Sequence, residues 1–193
     1  MPKTLSTLLL SLAVVLWFAS CAPHRLCYNQ SPDFNEVVEK VYITAESVVS
    51  IEPFAKHFVG TISTGLSRRG VENEVYFHDA LSLKTEREVQ EHIQAYGAKW
   101  HLDIRQREQS ASGGDFSVTQ SAFDLRLFDR EQDRIVWRAS LFGIQHNNRW
   151  LLHPRADFPC GTGHRSLNRA QMDRAERISA EIIAGLAKSG IIP

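Results

Sequence analysis

Three stretches of the sequence carry side chains that could do chemistry. The first is a late loop, Gln145 to Arg165, which holds His146, Trp150, His153, Cys160 and His164. His153, Cys160 and His164 are metal-ligand types, and Cys160-x-x-x-His164 is a usable ligand spacing. A structural zinc site needs four ligands, and no second pair lies nearby. Cys160 beside a histidine could also serve as an activated nucleophile, but no orienting third group or oxyanion site can be named. Gly161-Thr162-Gly163 is a turn, since no G-x-x-x-x-G-K pattern follows. Trp150 makes the same long loop a partner-contact candidate.

The second stretch is a set of alternating charges: His101, Asp103, Arg105, Arg107, Asp124, Arg126 and Arg138. Arginine forks match carboxylates and other anions in plane. If these residues share one face of a sheet, Arg105, Arg126 and Arg138 form a docking platform for a protein or an anionic glycan. The competing reading is an ordinary solvated face whose opposite charges pair across strands.

The third stretch is the start of the chain. Lys3 precedes an apolar run, Leu5 to Ala19, which ends in Phe18-Ala19-Ser20-Cys21. A positive tip, a short apolar segment and small residues before a cut site mark an export signal. Phe18-Ala19-Ser20-Cys21 resembles the lipobox of bacterial lipoproteins, with Phe18 where that motif usually has an aliphatic residue. The resemblance implies cleavage before Cys21, which then carries a diacylglycerol and an amide-linked acyl chain. Ala22 stands where the familiar inner-membrane retention signal has aspartate. The resemblance therefore implies an outer-membrane protein, lipid-anchored and facing the periplasm. Two alternatives stay open. One is ordinary cleavage after Ala22, since Ser20-Cys21-Ala22 is a small-x-small site. The other is an uncleaved anchor, for which about fifteen apolar residues fall short of the roughly 20 a spanning helix needs.

These readings divide the chain into a signal peptide over 1–20, a lipidated tether over 21–35 and a single periplasmic domain over 36–193. The whole chain balances 22 basic against 22 acidic residues. With only Lys3 charged in the signal, the mature part is nearly neutral. That argues against a nucleic-acid partner. No cofactor or metal is implied. Cys27 in the tether and Cys160 in the late loop would share an oxidising compartment, which favours a bond between them; two unpaired thiols are the alternative.

Elements that position these residues follow from periodicity. Val41-Tyr42-Ile43-Thr44 reads as a strand. A helix starts near Pro53, with Phe54, Phe58, Ile62 and Leu66 as its buried stripe and Gly70 as its stop. Val75-Tyr76-Phe77 is a second strand. Thr85 and Glu88 form a capping box for a helix lined by Val89, Ile93 and Tyr96 and closed by Gly97. Trp100, Leu102 and Ile104 then alternate with polar residues. So do Phe123, Leu125 and Leu127, and after them Ile135, Trp137, Ala139 and Leu141. Three such runs predict an antiparallel meander with one wet face. A last helix, near Leu167 to Ser189, turns Ala175, Ile178, Ile182 and Leu186 inward.

The predicted fold is α/β (α+β): one mixed sheet of about five strands with three helices on one face, in the order β-α-β-α-β-β-β-α. Two segments carry a family likeness: the helix ending Tyr96-Gly97-Ala98 before a strand, and the final helix ending Gly190-Ile191-Ile192. In these the chain resembles the small α/β domains of periplasmic lipoproteins. Examples are the penicillin-binding-protein activator lipoproteins and the amino-terminal domain of the Tol-system propeller protein. The likeness implies a non-catalytic assembly factor, adaptor or activator. Its partners would be the membrane, through the N-terminal lipid, and an envelope protein or peptidoglycan-associated component. The alternative is an envelope hydrolase, or a metal- or ligand-binding enzyme, acting through Cys160, His153 and His164.

Overall fold

The computed structural model describes residues 25–47, 52–78, 84–113, 116–146 and 167–193, excepting the side chains of 25, 108–121 and 142–146. Nine elements follow one another along the chain. They are β1 (Arg25–Gln30), β2 (Lys40–Glu46), α1 (Glu52–Arg68), β3 (Glu72–His78), α2 (Glu86–Tyr96), β4 (Trp100–Gly113), β5 (Phe116–Asp129), β6 (Arg134–His146) and α3 (Arg169–Lys188). The six strands form one sheet in the order β1-β6-β5-β4-β2-β3. β2 runs parallel to both β3 and β4, and the remaining pairs are antiparallel.

Local chemistry accounts for the helices. Thr85 and Glu88 form the anticipated box, each satisfying the other's free amide, and Gly97 ends α2 in the left-handed conformation at φ 70°. In α1, Phe54, Phe58, Ile62 and Leu66 are all buried, as their four-residue spacing requires. In α3 the same holds for Ala175, Ile178, Ile182 and Leu186.

The chain contains one strand more than its periodicity indicates. β1 lies inside the stretch read as tether and pairs antiparallel with β6, setting Cys27 opposite Ser140 and Gln30 opposite Trp137. Leu26 packs on the core and Tyr28 stacks on Trp137 with ring centroids 6.4 Å apart. Only these two apolar residues face inward on so short an edge strand, which is why alternation does not announce it.

The helices also divide between the two faces instead of sharing one. β2 to β3 steps outward along the sheet, whereas β3 to β4 steps back past β2. Right-handed crossovers in opposite directions place their helices on opposite faces. Accordingly α1 and α3 pack over Val41, Ile43, Trp100, Leu102, Leu125 and Leu141 in the main core. Val89 and Ile93 of α2 form a separate small cluster with Tyr42 and Ala98 on the reverse side. That helix covers the β2–β3 half of the reverse face. Among the described residues, no helix covers the β4–β5–β6 half.

A bulge between Leu127 and Phe128 adds a second correction to the alternation. It turns Val136 into the core and leaves Ile135 exposed, the reverse of the strict period-two expectation.

Candidate functional site

The uncovered half of the sheet gathers the charged residues in rows set by register. Asp103 of β4, Arg126 of β5 and Arg138 of β6 form one row. Arg105, Asp124 and Ser140 form the next, with Arg107 one step further along β4. Trp100, Leu102 and Ile104 on the other face of β4 are buried, so alternation turns this set outward.

The two carboxylates are sunk into this face while the arginines stand over them. Asp103 and Asp124 retain 6% and 4% exposure. Arg105 Nε donates to Asp103 Oδ2 at 2.8 Å, and Arg105 is 58% exposed along its side chain. Asp124 Oδ1 accepts the Ser140 hydroxyl at 2.7 Å. Asp124 Oδ2 is ion-paired with Arg107 and lies 3.7 Å from Arg138. A buried carboxylate needs such partners. Each therefore acts as a floor that holds guanidinium groups at the surface.

Arg126 is different. It lies between Asp103 and Arg138 in its row, yet Asp103 gives its ion pair to Arg105. The Arg126 Nε is buried without a hydrogen-bond partner among the described residues. Four arginines against Asp103, Asp124 and Glu46, which lies opposite Arg105 on β2, leave this patch with a net charge of +1. The arrangement suits the binding of a multivalent anion, because four guanidinium groups gather on one face.

Beside α2 the same face carries a second polar group. Thr44 Oγ1 donates to Asp103 Oδ1 at 3.3 Å and lies 2.7 Å from His101 Nε2. The threonine has one proton to give, so Nε2–H of His101 must be the donor to its oxygen, which fixes the tautomer. Burial holds the His101 pKa below the ordinary imidazole value, against the opposing pull of Asp103. The ring stacks on Phe128 at 5.8 Å. An open groove of about 530 Å³ runs along this side, lined by Thr44, Tyr76, Glu86, His101, Asp103 and Phe128 among others.

The structure thus brings together Arg105, Arg126 and Arg138 and adds Thr44 and Ser140, which periodicity did not single out. A hydroxyl within a polar-face alternation was the available signal for both. Cys27 is exposed on β1, on the open side opposite Ser140. Cys21, Trp150, His153, Cys160 and His164 lie outside the described residues, and His146 closes β6. Among the described residues there is no group of three or more metal-ligating side chains. No helix among them is long and apolar enough to cross a membrane.

Fold and site together define the class: a six-stranded α/β domain in which half of one sheet face is topped by arginines and covered by no described helix. No family model matches the sequence, and no curated protein matches it. Among solved structures the chain is similar to PelC from Paraburkholderia phytofirmans, a dodecamer, at 14% identity over 84% of this chain and 96% of that one, with a TM-score of 0.49. It is similar to lipoprotein GNA1162 from Neisseria meningitidis at 13% identity over 76% and 98%, TM-score 0.40. A third likeness is to TolB from Acinetobacter baumannii, at 12% identity over 88% of this chain and 32% of that one, TM-score 0.39. At these values the likeness is one of general element arrangement.

Proposed function

We propose that this protein is a non-catalytic, lipid-anchored domain of the bacterial outer membrane, facing the periplasm, that binds an anionic envelope component through the open face of its sheet. The anchor rests on Lys3, the Leu5–Ala19 run and Cys21. The binding role rests on one observation, the like-charged pair Arg126 and Arg138 in a single row of the face. Like charges directly opposed across strands cost stability. Such a pair is kept at a cost that binding an anion would offset. A Cys27–Cys160 bond belongs to the same reading, since it would fasten the 147–166 segment beside that face. The hydrolase alternative is built on Cys160, His153 and His164, which lie outside the described residues.

Intact-mass measurement and fractionation test the anchor. The mature chain should begin at Cys21 with the added mass of its acyl groups, and Cys21→Ser should move the protein out of the membrane fraction. A mature polypeptide beginning at Pro23 without fatty modification would overturn the reading. Alkylation without reductant, followed by mass measurement, shows whether Cys27 and Cys160 are joined.

A further inference from the structure

We infer that the occupant of the arginine face is the phosphate-bearing headgroup layer of the bilayer to which the chain is anchored, so that the domain lies with this face on its own membrane. The inference rests on the lipid-anchor reading above and takes it one step further, from an anchored domain to an oriented one.

The first argument is reach. β1 begins at Arg25, so only three residues, 22–24, lie between Cys21 and the sheet. Fully extended, the four steps from Cys21 to Arg25 span about 14 Å at most. Residues 25–30 of the stretch read as tether are therefore built into the sheet, and what precedes them cannot serve as a long leash.

The second argument is where that short linker enters. Arg25 pairs with Phe142, just past Leu141, whose partner on β5 is Phe123. On β4 the same level falls near Arg107, which pairs with Ala122. From Arg107 the β4–β5 hairpin continues six residues to Gly113, about 20 Å at 3.3 Å per residue. In the other direction β1 runs five residues to Gln30, about 17 Å, before the β5–β6 turn is reached. Both distances exceed the linker. Standing the sheet on either end would sink that end into the bilayer or overstretch the linker, so the strands lie along the surface.

The third argument chooses the face. On one side lie α1 and α3, a layer about 10 Å thick that the linker would have to pass around; α2 stands on the other side, but over the β2–β3 half, at the edge of the sheet away from β1. α1 and α3 together carry six basic and four acidic residues, with the two signs interspersed along the helices. The other side presents Arg105, Arg107, Arg126 and Arg138 over two buried aspartates. Phosphate accepts the fork of a guanidinium in the same way that a carboxylate does. Arg126, which has no ion pair among the described residues and lies directly opposite Arg138, is the arginine whose charge a new anion would offset most.

The test uses the full mature chain carrying Cys21→Ser, so that no acyl group holds it to lipid. It is sedimented with vesicles of phosphatidylcholine alone and of an equal mixture with phosphatidylglycerol, at low and at high salt. Binding is expected only with phosphatidylglycerol present and should weaken as salt rises. Each arginine near an anionic surface contributes about fivefold in affinity, so Arg126→Gln with Arg138→Gln should weaken binding about 25-fold. The double variant's urea midpoint serves as the control for folding. Equal binding to both vesicle types, no binding at all, or an undiminished affinity in the double variant would each overturn the inference. Displacement from the vesicles by an acidic protein or an anionic glycan at lower concentration than by added headgroup would do the same, and would assign the face to that partner. If the wild-type chain proves acylated while vesicle binding fails, only the orientation falls; a wild-type chain without acyl mass removes the anchor and the orientation together.

Discussion

Arg126 and Arg138 oppose each other directly across β5 and β6, on the one part of the sheet that no described helix covers. Asp124 lies 3.7 Å from Arg138 and is also held by Arg107, whereas Arg126 has no ion pair among the described residues. The repulsion in this row is thus only partly relieved. A face shaped by stability alone would put a carboxylate or a neutral side chain at one of the two positions. Arg126→Met keeps the aliphatic stem and removes the charge. It should raise stability by about 0.5 kcal/mol, the scale of a cross-strand pair. Urea unfolding reads this directly, and a fall of more than about 1 kcal/mol would mean that the Arg126 guanidinium has a structural partner.

Asp124 should behave in the opposite way. Its carboxylate is nearly fully buried, accepts the Ser140 hydroxyl at 2.7 Å and pairs with half-exposed arginines. The exposure of those arginines screens the Coulomb part. Asp124→Ala should therefore cost about 1–3 kcal/mol, mostly from the lost charge-assisted hydrogen bonds. Asp124→Asn can still accept from Ser140 and should cost less. If the two substitutions are equally damaging in urea unfolding, the arginine pairs rather than Ser140 carry the effect.

The sequence made much of this architecture legible because local signals and burial agree. The stripe Phe54, Phe58, Ile62 and Leu66 is buried throughout, the box Thr85 and Glu88 opens α2, and Trp100 and Trp137 are inward. What escaped depends on relations between elements. β1 has no alternation of its own strong enough to declare it, because an edge strand is recruited by β6 rather than by its own pattern. The side taken by α2 follows from the strand order, which periodicity does not contain. The Arg126–Arg138 opposition depends on the hairpin register, and the bulge at Leu127/Phe128 resets that register further along the same strand. Residue types indicated a charged face; only pairing shows which charges meet.

His101 supplies a pH dependence whose sign can be worked out. Burial depresses its folded pKa, while in the unfolded chain the ring titrates near 6.5. Below that value the unfolded state takes up a proton that the folded state resists. Stability from this group is therefore fully present above about pH 6.5 and is lost as pH falls towards the folded pKa. His101→Gln retains a donor for Thr44 and does not titrate. The variant should lose less stability than the wild type between about pH 7.5 and 5.5 in urea unfolding. Parallel pH profiles for the two proteins would show that His101 titrates as an ordinary exposed imidazole.

The last prediction concerns the helical layer that packs on the sheet. α1 and α3 approach closely at Gly65, where an added Cβ would stand 2.8 Å from Ile183 Cγ1 and 3.3 Å from its Cδ1. Alanine at an ordinary helix position gains about 1 kcal/mol over glycine. Here that gain is set against a clash with an atom near the base of a side chain, which can move only by forcing Ile183 from its rotamer or the helices apart. Overpacking of this kind costs about 1–3 kcal/mol. Gly65→Ala should therefore be destabilising by about 1 kcal/mol net. Adding Ile183→Ala removes the obstructing atoms, so the two changes should be strongly non-additive, with the double variant less destabilised than the sum of the singles. A double-mutant cycle by urea unfolding measures this coupling. Simple additivity would mean that the helices are not in contact at Gly65, and that the approach of α1 to α3 is set elsewhere along their length.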